Sequence, residues 1–500
     1  MMQLNNEDKL KKIEYIKEKI STIDEQIVEL VDERFNMGDV LFEYIYKNNI
    51  DIIDKNCNEI NFSEKTMEYD EYITEFLDYL SDISKKRNNY IQKKYNSKYA
   101  YVGDKSNYDL TKFIYEKFLD EKYFRFKPDE NLLENILKRK NFVGLNIAYP
   151  YKTEIIKYLD NVTDQVQEIN EVNLVQFYRN RKFGFNTEYF GIIKLLNRHN
   201  INLTGKNILI IKKDESIKTI EYVLKSLNAG NVHIHDLNHS KEIIFSNFDI
   251  AFNLTKFSDL DIVPEINFEN SKLECLIDIS TSTIFSKLYL DAKKFGIKAI
   301  NGVYKTMYQE KKSIEILSRK RFDDIEFEKI VTEFVKSKLN IVLVGMPGAG
   351  KTTIGKKLAK ILDRKHIDLD KEFANEYGIS PSKYLLERSE ESFREKESLV
   401  VKKLANLTNA VISTSGGVVQ KLDNYYYLKT NSIIFRIDRD LEKLSTKNRP
   451  LSYGGIETLV RMRDEREEKY KYFTDFVVKN YGDFNGVAYL IAEKFKDLEF

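Results

Sequence analysis

From about Glu7 to Tyr46, apolar residues return at three- and four-residue steps: Ile13, Ile16, Ile20, Ile23, Ile27, Leu30, Val31 and Phe35. That period describes one long amphipathic helix with a face to bury. A second stretch, Ser63 to Gln92, repeats the pattern without Gly or Pro. Together they predict an all-α module over residues 1–95, a helical hairpin or bundle whose apolar face needs a partner helix. After Tyr99 the period changes. Short apolar runs at 142–147, 206–211, 231–236, 248–254, 273–279 and 296–302 alternate with helical segments. This alternation predicts an α/β domain over residues 97–315 with a parallel, doubly wound sheet. A charged stretch from Lys311 to Lys338 reads as a closing helix followed by a helical linker over 316–338. The run Asn340–Gly345 then opens a third domain, again α/β, over 339–500.

A chain of 500 residues exceeds what one core organises, which agrees with three domains. With 80 basic and 79 acidic residues the formal charge is +1, so there is no basic footprint for nucleic acid and no polybasic membrane anchor. The amino terminus, MMQLNNEDKL, lacks an apolar core followed by a cleavage site, and no apolar run reaches about 18 residues. The expectation is a cytoplasmic protein acting on small molecules. Cys57 and Cys275 lie far apart and read as packed thiols. His233 and His235 share one strand face, but no third ligand stands at a recognisable spacing.

The strongest chemistry lies in the third domain. Asn340–Val344 is a buried-strand run, and the turn after it matches G-x-x-x-x-G-K-[ST] at Gly345, Gly350, Lys351 and Thr352. Small residues at Gly345, Gly348, Ala349 and Gly350 let backbone N–H groups close around phosphate oxygens. The helix that begins at Lys351-Thr352-Thr353 favours anions at its amino end. Lys351 reaches the transferred phosphoryl group and Thr352 can ligate magnesium, so the predicted ligands are ATP and Mg2+. Downstream, Asp368 and Asp370 flank Leu369 where a second strand should end. Two alternate carboxylates there can divide labour, one supporting magnesium and the other accepting a hydroxyl proton.

At this point the segment from Leu339 to Glu493 resembles the shikimate kinases. The resemblance implies that Asp370 binds the shikimate hydroxyls and is the catalytic base, with Asp368 on the magnesium side. Ser392-Phe-Arg-Glu-Lys-Glu397 resembles the family's F-R-x-x-E element, whose arginine, here Arg394, holds the substrate carboxylate. Read without the family, Arg394 is one charge on a polar helix. The triple-glycine turn appears as Ser415-Gly416-Gly417, with serine replacing its first glycine. Arg449-Pro450-Leu451 resembles the lid signature, and its arginine would stabilise phosphoryl charge in the transition state. Glu465-Arg466 with Tyr470 resembles E-R-x-x-x-Y, making Arg466 the second guanidinium on the carboxylate.

The middle segment, from Tyr99 to Glu310, resembles shikimate dehydrogenase, a Rossmann-type fold. Asn146-Ile-Ala-Tyr-Pro-Tyr-Lys152, Asn173, Gly184-Phe-Asn-Thr-Glu188 and Asn301-Gly302 with Gln309 carry the resemblance. It implies Lys152 as the catalytic lysine, but Glu188 stands where the family has aspartate. The substrate-binding S-x-S pair falls on Asp109 and Thr111, which puts a negative charge where an anion should sit. The turn that should be glycine-rich reads Lys212-Lys213-Asp214-Glu215-Ser216, so NADP binding in the usual mode is not expected. Residues 1–95 resemble the all-helical chorismate mutases. Lys17 stands for an arginine, Arg34 is kept, and the expected central lysine falls on Ile45. The following arginine and glutamate fall near Cys57 and Asn58. The reading is therefore a fused chain with a working shikimate kinase, inactive upstream modules and a homodimer made by the helical module. Two alternatives remain: an enzyme that also reduces 3-dehydroshikimate with NADPH, or a scaffold attached to a different small-molecule kinase.

Overall fold

The computed structural model describes residues 97–104, 107–126, 132–213, 216–240, 242–255, 268, 270–279, 284–444 and 455–498, with scattered residues between 18 and 96. Those up to Lys94 are helical, as the period predicts, but Ile20, Ile23, Ile27 and Leu30 of the apolar face are exposed rather than buried. The readings on Lys17, Arg34, Ile45, Cys57 and Asn58 lie outside the described residues. The chain divides into two compact units, residues 1–99 with 121–124, and residues 100–120 with 125–500.

The middle region carries two sheets. The first uses β1 (Tyr99–Val102), β2 (Tyr123–Phe126), β3 (Gly144–Ile147), β4 (Asn161–Val162), β5 (Leu174–Tyr178) and β6 (Arg181–Phe185), in the order β2-β1-β3-β5-β6-β4. Here the expectation of a parallel sheet is corrected, because β3 pairs with β5 and β5 with β6 antiparallel. The second sheet is parallel throughout, as predicted, in the order β11-β10-β9-β7-β8. Its strands are β7 (Ile208–Lys212), β8 (Val232–Asp236), β9 (Ile250–Asn253), β10 (Cys275–Asp278) and β11 (Lys298–Asn301). The helices in chain order are α1 (Tyr108–Leu119), α2 (Leu132–Leu137), α3 (Asp164–Ile169), α4 (Thr187–Arg198), α5 (Lys218–Ser226), α6 (Lys287–Lys294), α7 (Val303–Ser318) and α8 (Asp324–Lys338).

The helix read as a linker is α8, which begins at an Asp323 cap and packs onto the middle region. Phe334 stacks on Phe113 with ring centroids 3.9 Å apart, and Phe327 on Phe118 at 4.4 Å. Burying an aromatic ring of this kind stabilises by about 2–3 kcal/mol, enough to hold α8 against the domain. Its last residue, Lys338, is separated from the next strand by Leu339 alone.

The third sheet follows the order β13-β14-β12-β15-β16 and is parallel. Its elements are β12 (Asn340–Val344), α9 (Lys351–Ile361), β13 (Lys365–Asp368), α10 (Leu369–Tyr377), α11 (Pro381–Glu387), α12 (Glu390–Leu404) and β14 (Ala410–Ser413). They continue with α13 (Asp423–Lys429), β15 (Ser432–Asp438), α14 (Gly455–Phe473), β16 (Phe476–Lys479) and α15 (Phe484–Lys496). β12 is central and wholly buried, as its uninterrupted apolar run requires. Among the described residues, no helix is long and apolar enough to cross a membrane.

Candidate active site

β12 delivers the chain into the glycine-rich turn. Gly345 has φ 140°, and a Cβ there would lie 2.4 Å from the Ile437 carbonyl oxygen, so only glycine fits. Gly348 and Gly350 also have positive φ, and Ala349 is buried with its carbonyl accepting from Asn480 Nδ2 at 2.7 Å. Gly350 precedes the first turn of α9, which contains Lys351, Thr352 and Thr353. The Lys351 ammonium is held inside the loop, donating to Gly345 O at 2.7 Å and Met346 O at 3.0 Å. The loop therefore surrounds a positive charge at a helix amino terminus, an arrangement that suits a polyphosphate.

β13 ends at Asp368, whose carboxylate caps α10 and accepts from the Thr352 hydroxyl at 2.8 Å. The two residues read as magnesium ligands are thus brought together, a hydroxyl and a carboxylate suited to a hard cation. The sheet order places β14 between β13 and the loop strand β12, so the contact is made across the strand ends. Asp370 stands exposed in the first turn of α10. That helix is fixed beside α12 by Phe373 against Phe393, centroids 5.0 Å apart.

Arg394, next to Phe393, is 6% exposed. It donates to Glu397 Oε2 at 2.9 Å and to Glu390 Oε1 at 2.9 Å. Burial opposes its charge, but Glu397 and Glu390 hold the guanidinium above its ordinary pKa. A Cβ on Gly417 would come within 2.0 Å of Arg394 Nη2, so the guanidinium occupies the space this glycine leaves open. The Gly416 carbonyl accepts from Arg466 Nη1 at 3.1 Å and from the Tyr470 hydroxyl at 2.6 Å. A Cβ on Gly416 would meet Pro347 of the phosphate loop at 2.5 Å. Arg394, Gly416, Gly417 and Arg466 therefore converge at the wall of the phosphate loop. Arg466 is 4% exposed, and its Nε is buried without a hydrogen-bond partner. Arg449 lies outside the described residues.

Two further residues of these motifs, to which no role was assigned from the sequence, complete this cluster. Glu397, 1% exposed, links Arg394 to Ser415, whose hydroxyl donates to its other oxygen and accepts from Gly417 N at 3.3 Å. The serine that departs from the triple glycine is accommodated because its φ is not positive. The spacing of Arg394 and Glu397, three apart on one helix, was the available signal.

The middle region encloses a cavity of about 290 Å3 lined by Lys152, Asn173, Glu188, Lys305, Gln309 and Glu310 among others. Lys152 and Glu188 meet as the sequence suggested, 2.5 Å apart, but Lys305 grips the other carboxylate oxygen at 2.5 Å. Burial works against ionisation of Glu188, yet Lys152 and Lys305 together hold its carboxyl far below the usual carboxylate range. Lys305 lies four residues before Gln309 on α7, hence on the same helix face, and that spacing could have revealed it. Asn173 is spent on Thr187, accepting from its backbone N at 2.7 Å. Gln309 donates to Glu310 at 3.1 Å.

The reading that Asp109 brings negative charge into this pocket is corrected. Asp109 is exposed on α1, whereas Glu171 and Glu310 are buried acids lining the cavity, and Glu310 accepts from Asn146 Nδ2 at 2.8 Å. At the end of β7, Lys212 pairs with Asp236 at 2.9 Å. That aspartate stands at the strand end where an acid of this fold meets a dinucleotide's ribose hydroxyls. Asp214 and Glu215 lie outside the described residues.

A family model for shikimate kinase matches residues 347–495, and one for the shikimate dehydrogenase substrate binding domain matches residues 108–175. A shikimate kinase from Clostridium beijerinckii is 35% identical over 164 residues, 32% of this chain and 96% of that protein. A shikimate dehydrogenase (NADP(+)) from Methanococcus maripaludis is 30% identical over 226 residues, covering 40% of this chain and 81% of that protein. Among solved structures, a chorismate mutase/shikimate 5-dehydrogenase fusion protein from Clostridium acetobutylicum aligns with TM-score 0.42 and 23% identity. That alignment covers 47% of this chain and 96% of that one.

Proposed function

Because the chain belongs to the shikimate kinase family over its carboxy-terminal domain and to the shikimate dehydrogenase family over its middle region, we propose that it phosphorylates the 3-hydroxyl of shikimate from ATP, with a middle region that no longer performs redox chemistry. The observation that carries the first part is the convergence of Arg394 and Arg466 on the Gly416–Gly417 turn beside Pro347. Two guanidiniums at one wall of a phosphate loop suit an acceptor that bears a carboxylate.

In this reading the turn Gly345–Gly350 and Lys351 bind the phosphates of the nucleotide, and Thr352 with Asp368 would hold magnesium, which supplies charge neutralisation between the β- and γ-phosphates. Arg394 and Arg466 orient the acid so that its hydroxyl faces the γ-phosphorus. The hydroxyl oxygen forms the new P–O bond as the bond to the ADP oxygen breaks, and Asp370 accepts the hydroxyl proton. Arg449 would complete the site from the lid. Positioning and charge supply most of the rate enhancement in such transfers.

The proposal for the middle region rests on the pair of lysines around Glu188. A carboxylate clamped by Lys152 and Lys305 is a poor proton acceptor, and the turn after β7 reads Lys212-Lys213-Asp214-Glu215-Ser216 where a pyrophosphate needs glycines. The helical module at 1–95 is proposed to join two copies of the chain, its activity absent with the expected lysine replaced at Ile45. The test is steady-state assay of the full-length chain with Arg394→Ala and Asp370→Asn. Arg394→Ala is expected to raise the shikimate KM with little change for ATP, and Asp370→Asn to remove turnover. Near-normal turnover of Asp370→Asn would remove it as the base, and gluconate or a nucleotide serving as the better acceptor would sink the substrate assignment.

A further inference from the structure

The Gly416–Gly417 turn is held from behind by two helices. Tyr470 of α14 donates to the Gly416 carbonyl at 2.6 Å, and Asn424 of α13 donates through Nδ2 to the Val418 carbonyl, next after the turn, at 2.8 Å. Three tyrosines near these anchors, Tyr425, Tyr426 and Tyr472, face the middle region. Tyr426, two beyond Asn424, donates its hydroxyl to Asp291 Oδ1 of α6 at 2.6 Å. Tyr425, next to Asn424, and Tyr472, two beyond Tyr470, stack edge to face with centroids 5.0 Å apart, and Lys294 Nζ of α6, whose pKa burial pushes down to about 6, lies over both rings.

The contact continues past the helices. Phe285 N donates to Thr430 O at 3.0 Å, and Ile284 N donates to Asn431 Oδ1 at 3.2 Å, just before β15. Asp291 is 6% exposed and Tyr426 half-buried, so the bond is partly shielded from solvent, and its charge assistance strengthens it.

We propose that α6 of the middle region is a docking surface for α13 and the end of α14, and that through it the redox-silent middle region positions the kinase's substrate turn. Asp291 and Lys294 are positioning residues in this scheme. They touch neither substrate nor nucleotide, but they fix the two helices whose Asn424 and Tyr470 hold the turn on which Arg394 and Arg466 converge. The phosphate loop leaves the far end of β12, whose first residue Asn340 meets Asn431, so the larger effect is expected on the acceptor side of the reaction. This gives the middle region a function in the same chain without a reaction of its own. The inference rests on the shikimate kinase reading of the site.

The experiment uses the full-length chain with Asp291→Ala, Tyr426→Phe and the double variant, assayed for shikimate and ATP kinetics separately. Tyr426→Phe keeps the ring and its packing, so it remains informative if Asp291→Ala folds poorly. The expected result is a shikimate KM raised about three- to tenfold in each single variant, with no further rise in the double variant. The ATP KM and kcat should stay within about twofold. A shikimate KM unchanged in Tyr426→Phe, or an ATP KM raised equally, would overturn the positioning role and leave the surface a tether. Failure of the wild-type chain to phosphorylate shikimate would instead overturn the substrate reading, which separates the two.

Discussion

Replacing Glu310 with glutamine should stabilise the middle region above neutral pH. Glu310 is 1% exposed, and burial pushes its carboxyl up to about 7, held back by Thr111, Asn146 and Lys305. In the unfolded chain the group returns to its ordinary 4.5. Below about pH 4.5 both states are protonated and the group costs nothing. Between 4.5 and 7 the folded chain keeps a proton that the unfolded chain has lost, so stability falls as pH rises through this window. Above 7 the buried carboxylate is ionised and the full cost is present. A rise from 4.5 to about 7, at about 1.4 kcal/mol per unit, makes that cost about 3 kcal/mol. Glutamine carries no charge at any pH, so Glu310→Gln should match the wild type near pH 5 and exceed it at pH 8 by up to that amount. Calorimetric unfolding of both full-length proteins at the two pH values measures this, with the difference between proteins cancelling other titrating groups. Equal destabilisation of the variant at both pH values would refute the argument, showing that the hydrogen bonds from Asn146 and Gln309 outweigh the desolvated charge.

Three further outcomes follow from the geometry. Gly417→Ala places a Cβ within 2.0 Å of Arg394 Nη2, and a displaced guanidinium should lower kcat/KM for shikimate about a hundredfold, with nucleotide affinity retained in a titration. Ser415→Gly leaves one oxygen of buried Glu397 without its hydroxyl partner, so the shikimate KM should rise by up to about tenfold, measured with ATP saturating. Lys305→Met removes one of two ammonium groups from Glu188 and should cost about 1–3 kcal/mol at neutral pH, read as a lower unfolding midpoint, without bringing back NADPH oxidation.

What the sequence reveals and what it hides divide along physical lines. The phosphate loop was legible because a buried parallel strand is an unbroken apolar run and the turn after it needs glycine at fixed offsets, as at Gly345 and Gly350. Arg394 and Arg466 could be picked out only by the order of motifs around them, since an isolated arginine on a polar helix carries no mark of its partner. Ser415, Glu397 and Lys305 were not legible as a cluster member, a brace and a clamp, because their roles depend on which oxygen they face after folding. The mixed sheet was missed for a local reason. Its hairpin between β5 and β6 turns at Arg179 and Asn180, which adopt φ 49° and 60° with no glycine to announce them. A helical linker was read over 316–338 where the structure has a helix over Asp324–Lys338, and the stacking of that helix on Phe113 and Phe118 could not be read from its period.

The central claim is that the carboxy-terminal domain transfers phosphate to shikimate while the middle region carries no redox activity. It is tested most directly by offering the purified full-length chain shikimate with ATP and magnesium, and 3-dehydroshikimate with NADPH, in parallel assays of ADP release and NADPH oxidation. The account predicts shikimate-dependent ADP release with a 3-phosphorylated product and no NADPH oxidation above background. Saturable NADPH oxidation, or no ADP release with shikimate, would contradict it.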